Sequence, residues 1–178
     1  MSRLKIVLSI FAVSAFLALV VGISQAQAGV APAPVDCGAI VCDIDCPGGG
    51  ADCFGTDGDD IICGSDDAES IFAGKGDDDV CAGDGNDVVH GGFGDDAING
   101  EDGDDTIQGG WGDDNMAGGA GDDTILAGRC DDAVDGGEGS EVAGDTCLGG
   151  WGLDIFTADS CENEDQGQPD QDNHANCM

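Results

Sequence analysis

Basic residues are nearly absent from this chain: it has 4 Lys and Arg against 38 Asp and Glu, a formal net charge of −34. Such a surface repels nucleic acid and anionic membranes and excludes them as partners. Tyrosine is missing altogether and only two histidines are present, His90 and His174. No HExxH and no GxSxG occurs, so the metalloprotease and serine-hydrolase signatures are lacking. His90 falls at an outward strand position and His174 near the C-terminus, neither placed as a catalytic base. The expectation is a protein that is not an enzyme.

What is abundant is glycine, with 33 residues, and aspartate, and the two are periodic. From Gly55 to Asp135 nine units of nine residues follow without a gap, among them GTDGDDIIC, AGKGDDDVC, GGFGDDAIN and GEDGDDTIQ. A tenth unit from Gly136 carries about four extra residues, and an eleventh, GGWGLDIFT, starts at Gly149. The sixth position is acidic in all eleven: Asp60, Glu69, Asp78, Asp87, Asp96, Asp105, Asp114, Asp123, Asp132, Asp145 and Asp154. The eighth is apolar in all eleven, from Ile62 and Ile71 to Cys147 and Phe156. A short fixed period marks a solenoid.

Within a unit, six residues of glycine and acid suit a tight turn, and the last three suit a very short strand. Strand side chains alternate, so the eighth residue points inward and builds a thin aliphatic ladder. Carboxylates stacked at about 4.8 Å repel, and no base is at hand to offset them. A cation between the loops resolves this, and hard carboxylate and carbonyl oxygens select calcium over softer metals. An isolated DGDD is ordinarily a solvated turn, but eleven in register are not. An EF-hand is excluded, because its twelfth-position Glu and flanking helices are missing.

These repeats resemble the RTX family of secreted calcium-binding β-roll proteins, over roughly Gly55 to Thr157. The resemblance implies an all-β parallel β-roll in which two units make one coil. It also implies several calcium ions held between loops eighteen residues apart. The sites it implies are Asp60, Asp78, Asp96, Asp114, Asp132 and Asp154 on one edge, with Asp87, Asp105 and Asp123 on the other. Glu69 and the interrupted tenth unit depart from the pattern, as does Cys130 where glycine is usual. The best sites are expected among Asp78, Asp87, Asp96, Asp105, Asp114 and Asp123. With so little to bury and so much like charge, the chain is expected to be expanded without calcium and to fold on binding it.

The remaining segments divide as residues 1–28, a signal peptide; 29–54, a linker and cysteine-rich cap; 55–161, the roll; and 162–178, an acidic tail. The leader has Arg3 and Lys5, an apolar run from Ile6 to Ile23, and Ala26-Gln27-Ala28 as a cleavage site. An uncleaved membrane anchor is the alternative. Cleavage after Ala28 removes two bases and no acid, taking the net charge from −34 to −36. Most RTX proteins leave by a C-terminal route without such a leader; the destination read here is nonetheless extracellular, free or at the cell surface.

Ten cysteines in an exported chain point to disulfides. Cys37, Cys42, Cys46 and Cys53 are expected to staple the cap, and Cys130, Cys147, Cys161 and Cys177 to lock the C-terminal end. Cys63 and Cys81, both ninth positions on adjacent coils, are expected to bridge. The third positions of one edge read Asp57, Lys75, Phe93, Trp111, Arg129 and Trp151. They are expected either to shield the loops, with a cation stacked on a ring, or to form a ligand surface for a sugar or a partner protein.

Overall fold

A computed structural model describes residues 35–38, 41–138 and 145–156. The expected signal peptide and tail, most of the expected linker and the extra residues of the tenth unit lie outside the described residues. The chain winds as a parallel β-solenoid of about six turns, and no helix occurs among the described residues. In chain order the strands are β1 (Ile44–Asp45), β2 (Cys53–Phe54), β3 (Ile61–Cys63), β4 (Ser70–Lys75), β5 (Asp79–Asp84), β6 (Val88–Phe93) and β7 (Ala97–Asp102). They continue as β8 (Thr106–Trp111), β9 (Asn115–Ala120), β10 (Thr124–Arg129), β11 (Ala133–Glu138), β12 (Thr146–Trp151) and β13 (Ile155–Phe156). Odd-numbered strands stack in one sheet, β1 to β13, and even-numbered strands in the other, β2 to β12.

The register is the nine-residue period doubled. Val80 pairs with Ile98 and Ile98 with Met116 in the odd sheet, while Val89 pairs with Ile107 in the even sheet. One 22-residue step in each sheet, Ile125 to Cys147 and Val134 to Phe156, absorbs the insertion without a slip. The eighth-position ladder is the core: Ile62, Ile71, Val80, Val89, Ile98, Ile107, Met116, Ile125, Val134 and Cys147 are all fully buried.

Two findings revise the sequence reading. From β4 to β12 the strands are six residues long, not three, because the first three residues of each unit continue the extended chain and only the fourth to sixth turn. The first position therefore also faces inward, and Ala73, Ala82 and Ala127 there are fully buried. The roll also starts before the first recognisable repeat: β1 pairs with β3 through Ile44 and Ile62, and β2 with β4 through Cys53 and Ile71. Ile44 and Cys53 stand at the same nine-residue spacing as the ladder, but Cys42 and Ala51 occupy the places of the sixth-position acid.

The winding demands backbone conformations that side chains resist, within strands as well as turns. Gly92 at a second position has φ of 122°, and a Cβ there would stand 2.2 Å from the carbonyl oxygen of Gly74. Glu101 and Cys130 adopt the left-handed region without being glycine, at φ of 74° and 89°. That conformation costs an L residue about 1–2 kcal/mol, so the coils around these two residues hold them in place.

The predicted Cys63–Cys81 bridge does not form. Cys63 and Cys81 are indeed in register on β3 and β5, but Cys81 bonds Cys37 and Cys63 bonds Cys42. In-register neighbours on parallel strands project side by side at the strand spacing, whereas a disulfide needs Cβ atoms that converge to about 3.5–4.5 Å. The N-terminal stretch supplies converging partners and is pinned to the odd sheet by both bonds. Cys46 bonds Cys53, the one bridge internal to the expected cap. Cys130 and Cys147 are also disulfide-bonded, and no described cysteine is free.

Candidate metal centres

Each sixth-position side chain is brought under the neighbouring coil by the turn that ends its strand. The aspartates from Asp78 to Asp132 in this column are almost wholly buried, at 1–2 % exposure. One carboxylate oxygen of each is spent on the backbone. Asp78 Oδ1 accepts the N–H of Asp60 at 2.8 Å, Asp96 that of Asp78 at 3.0 Å, and Asp114 that of Asp96 at 2.9 Å. On the other edge Asp87, Asp105 and Asp123 accept from Glu69, Asp87 and Asp105 at 2.7, 2.8 and 2.8 Å. Asp132 and Asp154 continue the first edge and Asp145 the second.

The second oxygen has nothing. Oδ2 of Asp78, Asp87, Asp96, Asp105, Asp114, Asp123, Asp132 and Asp154 is buried without a hydrogen-bond partner. A buried unpaired oxygen costs roughly 1–3 kcal/mol, more when charged, and eight in register constitute a pattern rather than a defect. The protein responds as a buried anionic column must. Burial pushes the carboxyls of Asp78, Asp87 and Asp123 up to about 6, of Asp96 and Asp105 to about 7, of Asp114 to about 8 and of Asp132 to about 9. The accepted N–H pulls each back, and the stacked neighbours raise it further, as Asp96 and Asp113 do for Asp114.

The space beside Oδ2 is bounded by the first-position glycine and by a carbonyl oxygen of the next coil. At Gly91 the point a Cβ would occupy lies 2.4 Å from Asp96 Oδ2 and 2.7 Å from the carbonyl oxygen of Gly109. At Gly100 the same point lies 2.3 Å from Asp105 Oδ2 and 2.4 Å from Gly118 O. At Gly109 the distances are 2.3 Å to Asp114 Oδ2 and 2.6 Å to Ala127 O. At Gly118 they are 2.2 Å to Asp123 Oδ2 and 2.4 Å to Gly136 O. Calcium takes carboxylate and carbonyl oxygens, so this donor set fits it, and the room beside Oδ2 is room that a Cβ would fill. First-position glycine is what keeps the cradle open. Where Ala73, Ala82 or Ala127 stands there, in the units of Asp78, Asp87 and Asp132, a buried methyl takes part of the room.

Asp60 and Glu69 stand apart from the column. Asp60 Oδ2 accepts both the N–H and the hydroxyl of Thr56, at 2.6 and 2.9 Å. Glu69 is held in the same way by the N–H and hydroxyl of Ser65. A hydroxyl at the second position thus satisfies the acid from within its own loop, leaving no orphan oxygen. Outside the buried column, exposed fifth-position aspartates form a second ladder, in which Asp77 Oδ1 accepts the N–H of Asp95 and Asp95 Oδ1 that of Asp113. Cys42, Asp45 and Cys63 also come together, but the Cys42–Cys63 bond consumes both sulfurs.

The third-position column lies along the even sheet, in register through Lys75, Phe93, Trp111, Arg129 and Trp151. Arg129 stacks its guanidinium 4.1 Å from the Trp111 ring centre, the cation-on-ring contact expected from the column. Lys75 pairs with Asp57 at 2.8 Å, both largely exposed.

A family profile described as the RTX calcium-binding nonapeptide repeat matches the chain in four overlapping copies, at residues 54–89, 82–116, 90–125 and 108–140. No curated protein and no solved structure matches it.

Proposed function

The repeat region of this chain, residues 54–140, belongs to the RTX calcium-binding repeat family, and from that premise we propose that the protein is an exported module whose ordered state is assembled by calcium. The observation that carries this reading is the row of eight buried, partnerless aspartate oxygens. Without positive charge between them, neighbouring coils push apart, and a single file of aliphatic side chains is a thin interior to oppose that. Calcium, when bound, supplies that charge at Oδ2 and at the first-position carbonyls. The chain's own part is to pre-aim Oδ2 by anchoring Oδ1 on the preceding coil, and to exclude side-chain bulk at the first position.

Extracellular calcium modules bind at about 0.1–1 mM, so order would be gained outside the cell and withheld at cytosolic calcium. The leader at residues 1–28 supports the same destination. We assign no catalysis: no hydrolase signature is present, and His90 faces outward against Gln108 at 3.1 Å. The role is structural or one of interaction, with attachment to a surface through the Lys75–Trp151 column as the second reading, favoured by the exposed rings of Phe93 and Trp151. Circular dichroism of the oxidised mature protein, titrated with calcium and then with magnesium, is the test. A cooperative gain of β signal with calcium alone is expected; an equally ordered state in excess chelator would end the proposal.

A further inference from the structure

The outward face of the even sheet is chemically unlike the rest of this acidic chain. From β4 to β12 its seventh-position column reads Ser70, Val88, Thr106, Thr124 and Thr146, and its ninth-position column Phe72, His90, Gln108, Leu126 and Leu148. With the third-position column these are fifteen outward positions, and not one is acidic, in a chain with 38 Asp and Glu. The odd sheet at the same columns carries Asp79, Asp84, Asp102 and Asp135. Every Lys, Arg and His among the described residues, Lys75, His90 and Arg129, lies on the even face.

The rings on this face are turned along the roll. Phe54 and Phe72 stack at 5.3 Å, Phe72 and His90 at 4.9 Å, and Phe93 and Trp111 at 5.9 Å, with Arg129 closing the other side of Trp111. Their faces are spent on each other, so what they present outward is edges, the positive part of an aromatic quadrupole. Between the two ring-bearing columns the second-position glycines leave a trench. At Gly92 and Gly110 it opens to a volume of about 210 Å³, walled by His90 and Gln108 on one side and Phe93 and Trp111 on the other.

We propose that this face binds a linear polysaccharide bearing carboxylates, laid in the trench along the roll axis. The inference rests on the reading of the roll as an exported interaction module. Three observations select that occupant. The trench floor of Gly74, Gly92, Gly110, Gly128 and Gly150 repeats at the strand spacing of about 4.8 Å, which a partner that itself repeats can use throughout. Ring edges, Arg129 and the Gln108 amide favour oxygen-rich, negatively charged groups. From β4 to β12 the absence of carboxylates removes, on this face alone, the repulsion that would turn a polyanion away, and Asp57 at the head of the third-position column is paired with Lys75. Exposed Asp77, Asp95 and Asp113 at the neighbouring loop edge set the opposite bias, so binding is confined to the trench and belongs to the ion-loaded roll.

The test is isothermal titration of the oxidised mature protein in calcium with short oligogalacturonate, alongside a neutral β-glucan oligomer, with circular dichroism on the same samples. Arg129→Gln is expected to weaken oligogalacturonate binding about tenfold, as for loss of one charge-assisted hydrogen bond, and Trp111→Ala at least as much, while the calcium-induced β signal stays unchanged. Asp79→Asn on the opposite face should leave binding intact, and added salt should weaken it. Binding that Asp79→Asn removes equally would reveal mere calcium bridging and overturn the proposal. So would equal binding of the neutral glucan, no binding by a protein that orders normally in calcium, or a dimer in sedimentation abolished by Trp111→Ala, which would make a second copy the occupant. A protein that fails to order in calcium would refute the underlying function instead, and this inference with it.

Discussion

Replacing Asp114 by asparagine separates the two jobs of one carboxylate. Asparagine keeps an oxygen to accept the Asp96 N–H, at 2.9 Å in the native chain, but removes the charge from the partnerless Oδ2. If that oxygen holds calcium, the variant loses the contribution of one site. With a dissociation constant of about 0.1–1 mM and 10 mM calcium, one site stabilises the ordered state by about 1.4–2.7 kcal/mol. Without calcium the effect reverses. The native carboxyl, pushed up to about 8 by burial and by Asp96, Asp95 and Asp113, opposes order when ionised, and asparagine relieves it. Asp114→Asn should therefore unfold at lower urea in 10 mM calcium, yet hold its residual structure at least as well as wild type in chelator. Calorimetry should count fewer ions. Asp114→Ala supplies the control, since it also strands the Asp96 N–H, at a cost of about 1–3 kcal/mol in either condition. An Asp114→Asn protein with unchanged ion count and unchanged urea midpoint in calcium would refute the assignment of Oδ2 as a ligand.

Gly109→Ala should behave as a partial version of that variant: a methyl 2.3 Å from Asp114 Oδ2 crowds the cradle, so calorimetry should show a weaker site, while Ala73→Gly should strengthen one. Loss of the Cys37–Cys81 bond, which spans 44 residues, should lower stability in calcium by about 4 kcal/mol, and loss of Cys42–Cys63, spanning 21, by about 3 kcal/mol, both read from urea midpoints. The pH dependence follows from carboxyls raised from 3.8 to between about 6 and about 9 by burial. Folded-state carboxyls that hold protons the unfolded chain releases favour order at low pH, and that advantage is lost as pH rises through their folded values. Calcium-stripped protein should thus gain β signal on acidification from pH 9 toward 4, whereas the calcium concentration needed for ordering should rise as pH falls. A stripped protein that loses structure steadily on acidification would contradict the buried-acid column.

Much of this architecture was legible because period nine fixes both neighbours and faces: the sixth and eighth positions alone placed Asp96 over Asp78 and Ile107 over Val89. Eight of the nine aspartates expected at the sites carry the orphan oxygen, and the ninth, Asp60, does not, because Thr56 captures it. That exception was visible as Thr56 and Ser65 standing where most units have glycine. The open cradle was less visible, since a motif reading treats glycine as turn chemistry, whereas Gly91 and Gly100 matter for the volume they leave. The start of the roll at Ile44 was hidden by the missing motif, although the spacing from Ile44 to Cys53 to Ile62 already carried the ladder backward. Disulfide partners were the hardest to read. Register brought Cys63 beside Cys81, but spacing along a chain says nothing of the direction in which a sulfur projects, nor of a segment returning over the sheet to meet it.

The buried bonds of Oδ1 all run one way. Each aspartate reaches toward the coil that precedes it, so the anchor for any coil is the backbone already laid down on its N-terminal side. The roll consequently has a polarity of assembly, with the bridged N-terminal stretch as its template and each new turn seated by the last. Shortening the chain from its C-terminus should shed turns one at a time and leave the rest competent, whereas cutting from the N-terminus removes the foothold of every turn that follows.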